Sequence, residues 1–113
     1  MSIQLRLFSC ILGCLTLFYS PFIEAKESPR TDLALYYSPY CPHCIKVLDY
    51  LHEIHKTVPL KDVASDIRLR EELIKIGGKG QVPCLVIGSY PLYESDAIIQ
   101  WLKAHQEELP NEP

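Results

Sequence analysis

From residue 33 onward, the spacing of apolar positions changes from strand-like to helix-like and back. Leu33 to Tyr37 is an apolar, aromatic-rich run that stops at Ser38-Pro39, the pattern of a buried strand. From Cys44 to Val58 the spacing is helical: Cys44, Val47, Leu48, Leu51, Ile54 and Val58 fall on one face, while Lys46, Asp49, Glu53 and Lys56 sit largely away from it. Pro42 suits the first turn of that helix, where no backbone donor is needed, and Pro59 closes the segment. Leu60 to Val63 reads as a second short strand. Ser65 or Asp66 can cap the next helix, whose apolar face is Leu69, Leu73 and Ile76 and whose stop is Gly77-Gly78. Val82 to Ile87 is strand-like with a proline near its start, Gly88 to Pro91 makes a turn, and Leu92-Tyr93 forms a brief edge strand. Glu94-Ser95-Asp96 opens the last helix, where Ile98, Leu102 and His105 share a side close to Trp101.

The predicted order is β-α-β-α-β-β-α over residues 33–105, an α/β fold. The opening strand, helix and strand imply a right-handed parallel crossover, and the tight final link implies an antiparallel hairpin. Together they give a four-stranded mixed sheet flanked by three helices. Residues 26–32 read as a polar linker containing Pro29, and residues 106–113, acidic and proline-bearing, as a frayed, flexible tail.

The first 25 residues are of another kind. Arg6 is the sole charge before Glu24, residues 7–23 are largely apolar, and Ala25 supplies a small residue before a polar run. That order is a secretory signal-peptide pattern, which implies export to the periplasm or another space outside the cytoplasm. The alternative is a retained membrane anchor formed by residues 7–23. A net charge of −3, without a basic run, gives no footprint for nucleic acid.

Cysteine usage changes the picture most. Of the five cysteines, Cys10 and Cys14 lie in the apolar leader as small hydrophobes, which leaves Cys41, Cys44 and Cys84. An odd set does not resemble a structural disulfide framework. Cys41-Pro42-His43-Cys44 follows a strand and opens a helix, which is redox chemistry. At a helix N-terminus, unpaired N–H groups and the positive dipole end favour an anion, so Cys41 is the attacking thiolate. Cys44 lies one turn on along the same side, placed to close the intramolecular disulfide. His43 can add an N–H donor or a positive charge, which stabilises the reduced form and makes the couple more oxidising. Cys84 reads as a small buried strand residue, or else as a third thiol beside the site. A bare CxxC is also half of a metal site, but no second CxxC or HxxxH motif completes it. His52 and His55 read as solvent-facing, and His105 as a helix residue without a role.

Residues Leu33 to His105 resemble the glutaredoxin family, within the thioredoxin-like fold. The resemblance rests on the Cys41-Pro42-His43-Cys44 motif after the first strand, Val82-Pro83 before the third, and Glu94-Ser95-Asp96 opening the last helix. It implies a cis Pro83, with the Val82 backbone pairing with the cysteinyl part of glutathione. Leu92 to Ile98 also looks like the N-terminal domain of glutathione transferases, where a Glu-Ser pair holds the γ-glutamyl end. Carried over, Tyr40, Val82, Pro83, Glu94, Ser95 and Asp96 become the substrate- or glutathione-binding residues. The sequence departs from the family in three places. Ser38-Pro39-Tyr40 lacks the lysine common before the CxxC, Tyr93-Glu94 stands where two glycines are usual, and His43 replaces a tyrosine. The CPHC form is familiar from exported disulfide donors of the superfamily.

The resemblance therefore implies a monomeric dithiol oxidoreductase acting on protein or glutathione mixed disulfides outside the cytoplasm. Glutathione would be its co-substrate, with no tightly bound cofactor and no metal. Two alternatives stand beside it: a glutathione-independent disulfide donor or reductase for exported proteins, and a thiol-based metal-binding module.

Overall fold

The computed structural model describes residues 30–113, so the expected leader and most of the linker lie outside the described residues. The elements run β1 (Leu33–Tyr37), α1 (Pro42–Glu53), β2 (Leu60–Asp62), α2 (Ile67–Gly77), β3 (Cys84–Ile87), β4 (Tyr90–Tyr93) and α3 (Ser95–Ala104). The sheet order is β2-β1-β3-β4. β1 runs parallel to β2 and antiparallel to β3, and β3 and β4 form an antiparallel hairpin. This is the expected thioredoxin-like arrangement of four strands and three helices.

Strand alternation divides the interior in two. Leu33, Leu35 and Leu85 face one side, where Val47 and Leu51 of α1 and Ile98 and Leu102 of α3 cover them. Tyr36, Cys84 and Val86 face the other, against Leu73 of α2 and Val63. Both sheet faces are thus buried, which explains why β1 and β3 read as nearly continuous apolar runs. On the α2 side, the Tyr36 hydroxyl donates to Glu72, which also pairs with Lys61 at 2.7 Å.

The elements differ from their sequence outlines in three places. α1 ends at Glu53 rather than Val58, because His55 adopts a left-handed φ of 58°. The N–H groups of His55 and Lys56 turn back to the carbonyls of His52 and Leu51 at 3.1 and 3.0 Å, a Schellman closure. Val58 stays buried, but as part of the turn that feeds β2. β3 begins at Cys84, since Pro83 has no N–H to give the ladder. β4 starts at Tyr90 and keeps Pro91, tolerated because β4 is an edge strand.

The acidic C-terminal stretch, expected to fray, is instead docked. A 3-10 turn at Gln106–Glu108 leads to Leu109, which is buried in the α1/α3 core. Thr57 N–H donates to the Pro110 carbonyl at 2.9 Å and Glu112 N–H to the His55 carbonyl at 3.0 Å. Glu112 also meets the exposed His52 and His55 rings. Arg30 ties the other end to the same region through Glu108, Asp32 and the face of Trp101, on which His105 stacks. One buried leucine and these main-chain bonds outweigh the local polarity.

Candidate active site

Cys41 caps α1 with extended backbone, and Pro42 takes the first helical position without forfeiting a hydrogen bond. The Cys41 N–H is held by the Ser38 carbonyl at 3.2 Å, and its carbonyl receives Ile45 N–H at 3.0 Å. The Cys41 side chain is half-buried at the surface, whereas Cys44, on the inward face of α1, is fully buried. Both thiols are free. Burial pushes the Cys44 thiol up to about 12, and the neighbouring Cys41 thiol adds to this; the Ser38 N–H, 3.5 Å from Cys44 Sγ, opposes it. Cys41 Sγ also approaches the Val82 carbonyl oxygen at 3.9 Å. The Val82-Pro83 bond is cis, and Pro83 is buried.

α3 presents its N-terminus at the same end of the domain. Glu94 caps the helix at φ 78°, ψ 122°, a sparsely populated backbone region for any residue but glycine. Its side chain makes no capping bond and instead accepts from Gln81 Nε2 at 3.3 Å. Ser95 is the first helical residue rather than the cap. It is 7% exposed, and its hydroxyl makes no hydrogen bond among the described residues. Asp96 lies in the first turn, exposed, and pairs with Lys46 of α1 at 2.5 Å. That hydrogen bond draws the Asp96 carboxyl below its usual range, helped more weakly by the charge of His43.

The structure thus brings Cys41, Cys44, Val82 and Pro83 together. Glu94, Ser95 and Asp96 form a second group at the start of α3. Tyr40 is 84% exposed, its N–H bonded to the Ser38 hydroxyl at 3.3 Å. His43 is exposed and makes no hydrogen bond among the described residues. Cys84 stands apart: it points into the α2 side of the sheet, and burial raises its thiol to about 11. Sequence reasoning missed Ser38, Gln81 and Lys46. Ser38 binds Cys41, Cys44 and Tyr40 through its carbonyl, N–H and hydroxyl in turn. Its position before Pro39 marked it only as a turn residue. Gln81 and Lys46 act across long sequence separations and carry no local signal.

Residues 35–110 match the family described as glutathione S-transferase, N-terminal domain. The chain belongs to this family. Its solved structural neighbours include a glutaredoxin from Populus tremula x tremuloides, 20% identical with a TM-score of 0.52, matched over 69% of this chain and 78% of that one. A glutathione S-transferase from the Antarctic clam Laternula elliptica is 27% identical with a TM-score of 0.57, over 70% of this chain and 37% of that one. A delta-class glutathione transferase from Nilaparvata lugens is 32% identical with a TM-score of 0.53, over 64% of this chain and 35% of that one. The chain therefore spans about a third of the length of these transferases. No curated protein matches the sequence. Among the described residues of this glutathione S-transferase N-terminal domain, no helix is long and apolar enough to cross a membrane. Among the same residues, no group of three or more His, Cys, Asp or Glu side chains could hold a metal ion.

Proposed function

We propose that the chain is a glutaredoxin-like thiol–disulfide oxidoreductase, with Cys41 as the attacking thiol, Cys44 as the resolving thiol and glutathione as co-substrate. One observation carries the reading: two thiols one helical turn apart in opposite environments, Cys41 reachable at a helix N-terminus and Cys44 fully buried. Exchange requires a thiolate, and the helix end favours one at Cys41.

In the reducing direction, the Cys41 thiolate attacks one sulfur of a substrate disulfide, forming a mixed disulfide and expelling the other sulfur as a thiolate. Cys44 then loses its proton to solvent and attacks Cys41 Sγ. That closes the Cys41–Cys44 disulfide and releases the second substrate sulfur. Two glutathione thiols return the pair to the dithiol and leave as glutathione disulfide. Reversed, the same steps donate a disulfide. Once Cys41 is part of a mixed disulfide it carries no charge, so one cause of the raised Cys44 value disappears at the step that needs the Cys44 thiolate.

The Val82 backbone, against Cys41 Sγ, is the candidate partner for the cysteinyl main chain of glutathione. The N–H groups opening α3, with the Ser95 hydroxyl in its first turn, suit its γ-glutamyl carboxylate. Glu94 and Asp96 are the candidate carboxylates for its ammonium. His43, exposed beside Cys41, supplies positive charge when protonated, and Tyr40 offers a flat apolar surface to the substrate. Residues 7–23 support export by a cleaved leader or attachment by an anchor.

Two further readings compete. A glutathione-independent disulfide donor is favoured by Tyr93-Glu94 replacing two glycines and by Lys46 engaging Asp96. A metal-binding module lacks support, since among the described residues no third His, Cys, Asp or Glu joins Cys41 and Cys44 in a ligand cluster.

The deciding experiment offers oxidised glutathione to Cys41→Ser and Cys44→Ser variants of the chain and weighs the products. Cys44→Ser is expected to accumulate a glutathione adduct on Cys41, and Cys41→Ser to form none. Adducts with protein disulfides but none with glutathione would favour the donor reading. No adduct of either kind would sink the enzyme readings.

A further inference from the structure

Lys46 and Asp96 raise a question that the proposed function does not answer. In the reading above Asp96 is a candidate partner for the ammonium of a γ-glutamyl group, yet a cation of the chain already occupies it. Lys46 Nζ sits 2.5 Å from Asp96 Oδ1, across fifty residues of sequence and between two different helices. Both side chains are largely exposed, so the pair is not needed to satisfy a buried charge. A surface pair of this kind contributes little to stability. What it does is set the charge that an incoming ligand meets.

The other charged groups point the same way. On α1, His43 lies one turn before Lys46 and also acts on the Asp96 carboxyl. Asp49 lies three residues after Lys46, on the neighbouring turn. Asp49 and Lys46 both line a shallow groove of about 540 Å³ that runs along α1 to Ile99 of α3. Lys46 therefore has one anionic partner, Asp96, and a second carboxylate, Asp49, lining the same groove on its own helix. Asp96 holds it in the resting structure, and Asp49 can hold it if Asp96 is taken.

We propose that Lys46 determines ligand preference at this site by occupying Asp96, so that a ligand ammonium must displace it before binding. The inference rests on the glutathione reading above and deepens it. A zwitterionic γ-glutamyl end bears the cost of that displacement. A ligand with the same carboxylate but no ammonium does not, because it never competes for Asp96. Lys46 is thus a positioning residue that weakens selection for glutathione relative to other thiols and disulfides.

The test measures steady-state KM and kcat for glutathione and for N-acetylated glutathione, which lacks the ammonium. Wild type, Lys46→Met and Lys46→Arg are compared in the full chain, each also in an Asp96→Asn background. Lys46→Met is expected to lower KM for glutathione by about two- to five-fold, the range set by an exposed ion pair, with kcat unchanged. The same variant should leave KM for the N-acetylated probe unchanged. Lys46→Arg should behave as wild type, and in the Asp96→Asn background Lys46→Met should do nothing. A higher KM in Lys46→Met would overturn the inference, since Lys46 would then be attracting a ligand carboxylate. Equal changes for both probes, or no change for either, would overturn it too. If wild type neither binds nor turns over glutathione, the parent reading fails and this inference falls with it.

Discussion

Cys41 Sγ and the Val82 carbonyl oxygen meet at 3.9 Å, joining the start of α1 to the loop before β3. A thiol can donate to that oxygen and a thiolate cannot. Ionising Cys41 therefore frees the Val82 carbonyl for a donor on the substrate. The proposed attacking atom and the main-chain acceptor proposed to align a cysteinyl ligand are thus coupled by a single weak contact.

The first prediction concerns pH. Cys44 is pushed up to about 12 in the dithiol state, so only its minor thiolate fraction can resolve a mixed disulfide at neutral pH. The resolving step should speed up by roughly tenfold per pH unit through the neutral range. Stopped-flow release of the second thiol from a preformed Cys41 mixed disulfide measures it, and a flat profile would contradict it. Stability should move the opposite way. Both Cys44 and Cys84 are raised in the folded chain, so the native state holds protons that the unfolded chain releases first. Stability present below pH 9 is lost as pH rises through the folded values near 11 and 12. Denaturant titrations from pH 8 upward should show the decline, shallower in Cys84→Ala.

Glu94 offers a test in which stability and ligand binding part company. Its φ of 78° costs a non-glycine residue about 1–3 kcal/mol, partly offset by the greater unfolded freedom of glycine. Glu94→Gly should stabilise the domain by about 1 kcal/mol. If the carboxylate binds the γ-glutamyl ammonium, KM for glutathione should rise in the same variant. A stabilised variant with unchanged KM would remove Glu94 from the binding site.

The end of α2 is tightly constrained. A Cβ at Gly77 would come within 1.9 Å of the Tyr93 hydroxyl oxygen, which itself donates to the Lys79 carbonyl. Gly77→Ala should therefore destabilise the domain by about 1–3 kcal/mol. Adding Tyr93→Phe should recover part of that loss in thermal or chemical unfolding.

The C-terminal dock makes a further prediction. Leu109 is 2% exposed among α1 and α3 residues, so Leu109→Ala should cost about 2–4 kcal/mol despite its place in an acidic, proline-rich stretch. Glu112→Gln should barely change stability but should lower the His52 pKa, which a Glu112 hydrogen bond raises in the native chain. The small stabilising effect of that pair is present below the unfolded histidine value and fades as pH rises through the folded one. Histidine resonances followed by NMR across pH report it directly.

The helices and strands were legible where burial follows a period. Leu69, Leu73 and Ile76 marked α2, and Asp66 capped it as its residue type suggested, accepting the Arg68 N–H at 2.9 Å. The CPHC pair and Val82-Pro83 were legible as motifs, and the fold brings them together. What stayed hidden depends on distance in sequence or on backbone geometry. Nothing in the spacing announces that His55 takes a glycine-like φ, so the apolar period runs on past the true end of α1. Leu109 lies outside every periodic run, and its burial needs α1 and α3 already in place. Lys46 looked like one more exposed helix charge until α3 set Asp96 opposite it.

Cys84 gives the sheet an additional role. β3 directs this thiol toward α2, while Cys44 is covered on the α1 side. The sheet therefore separates the buried thiol of the CPHC motif from a third thiol one residue from the cis proline. Cys84 and Cys44 are thus buried on opposite sides of the sheet. For the exchange proposed at Cys41 and Cys44, this separation keeps the odd thiol away from the buried member of the pair.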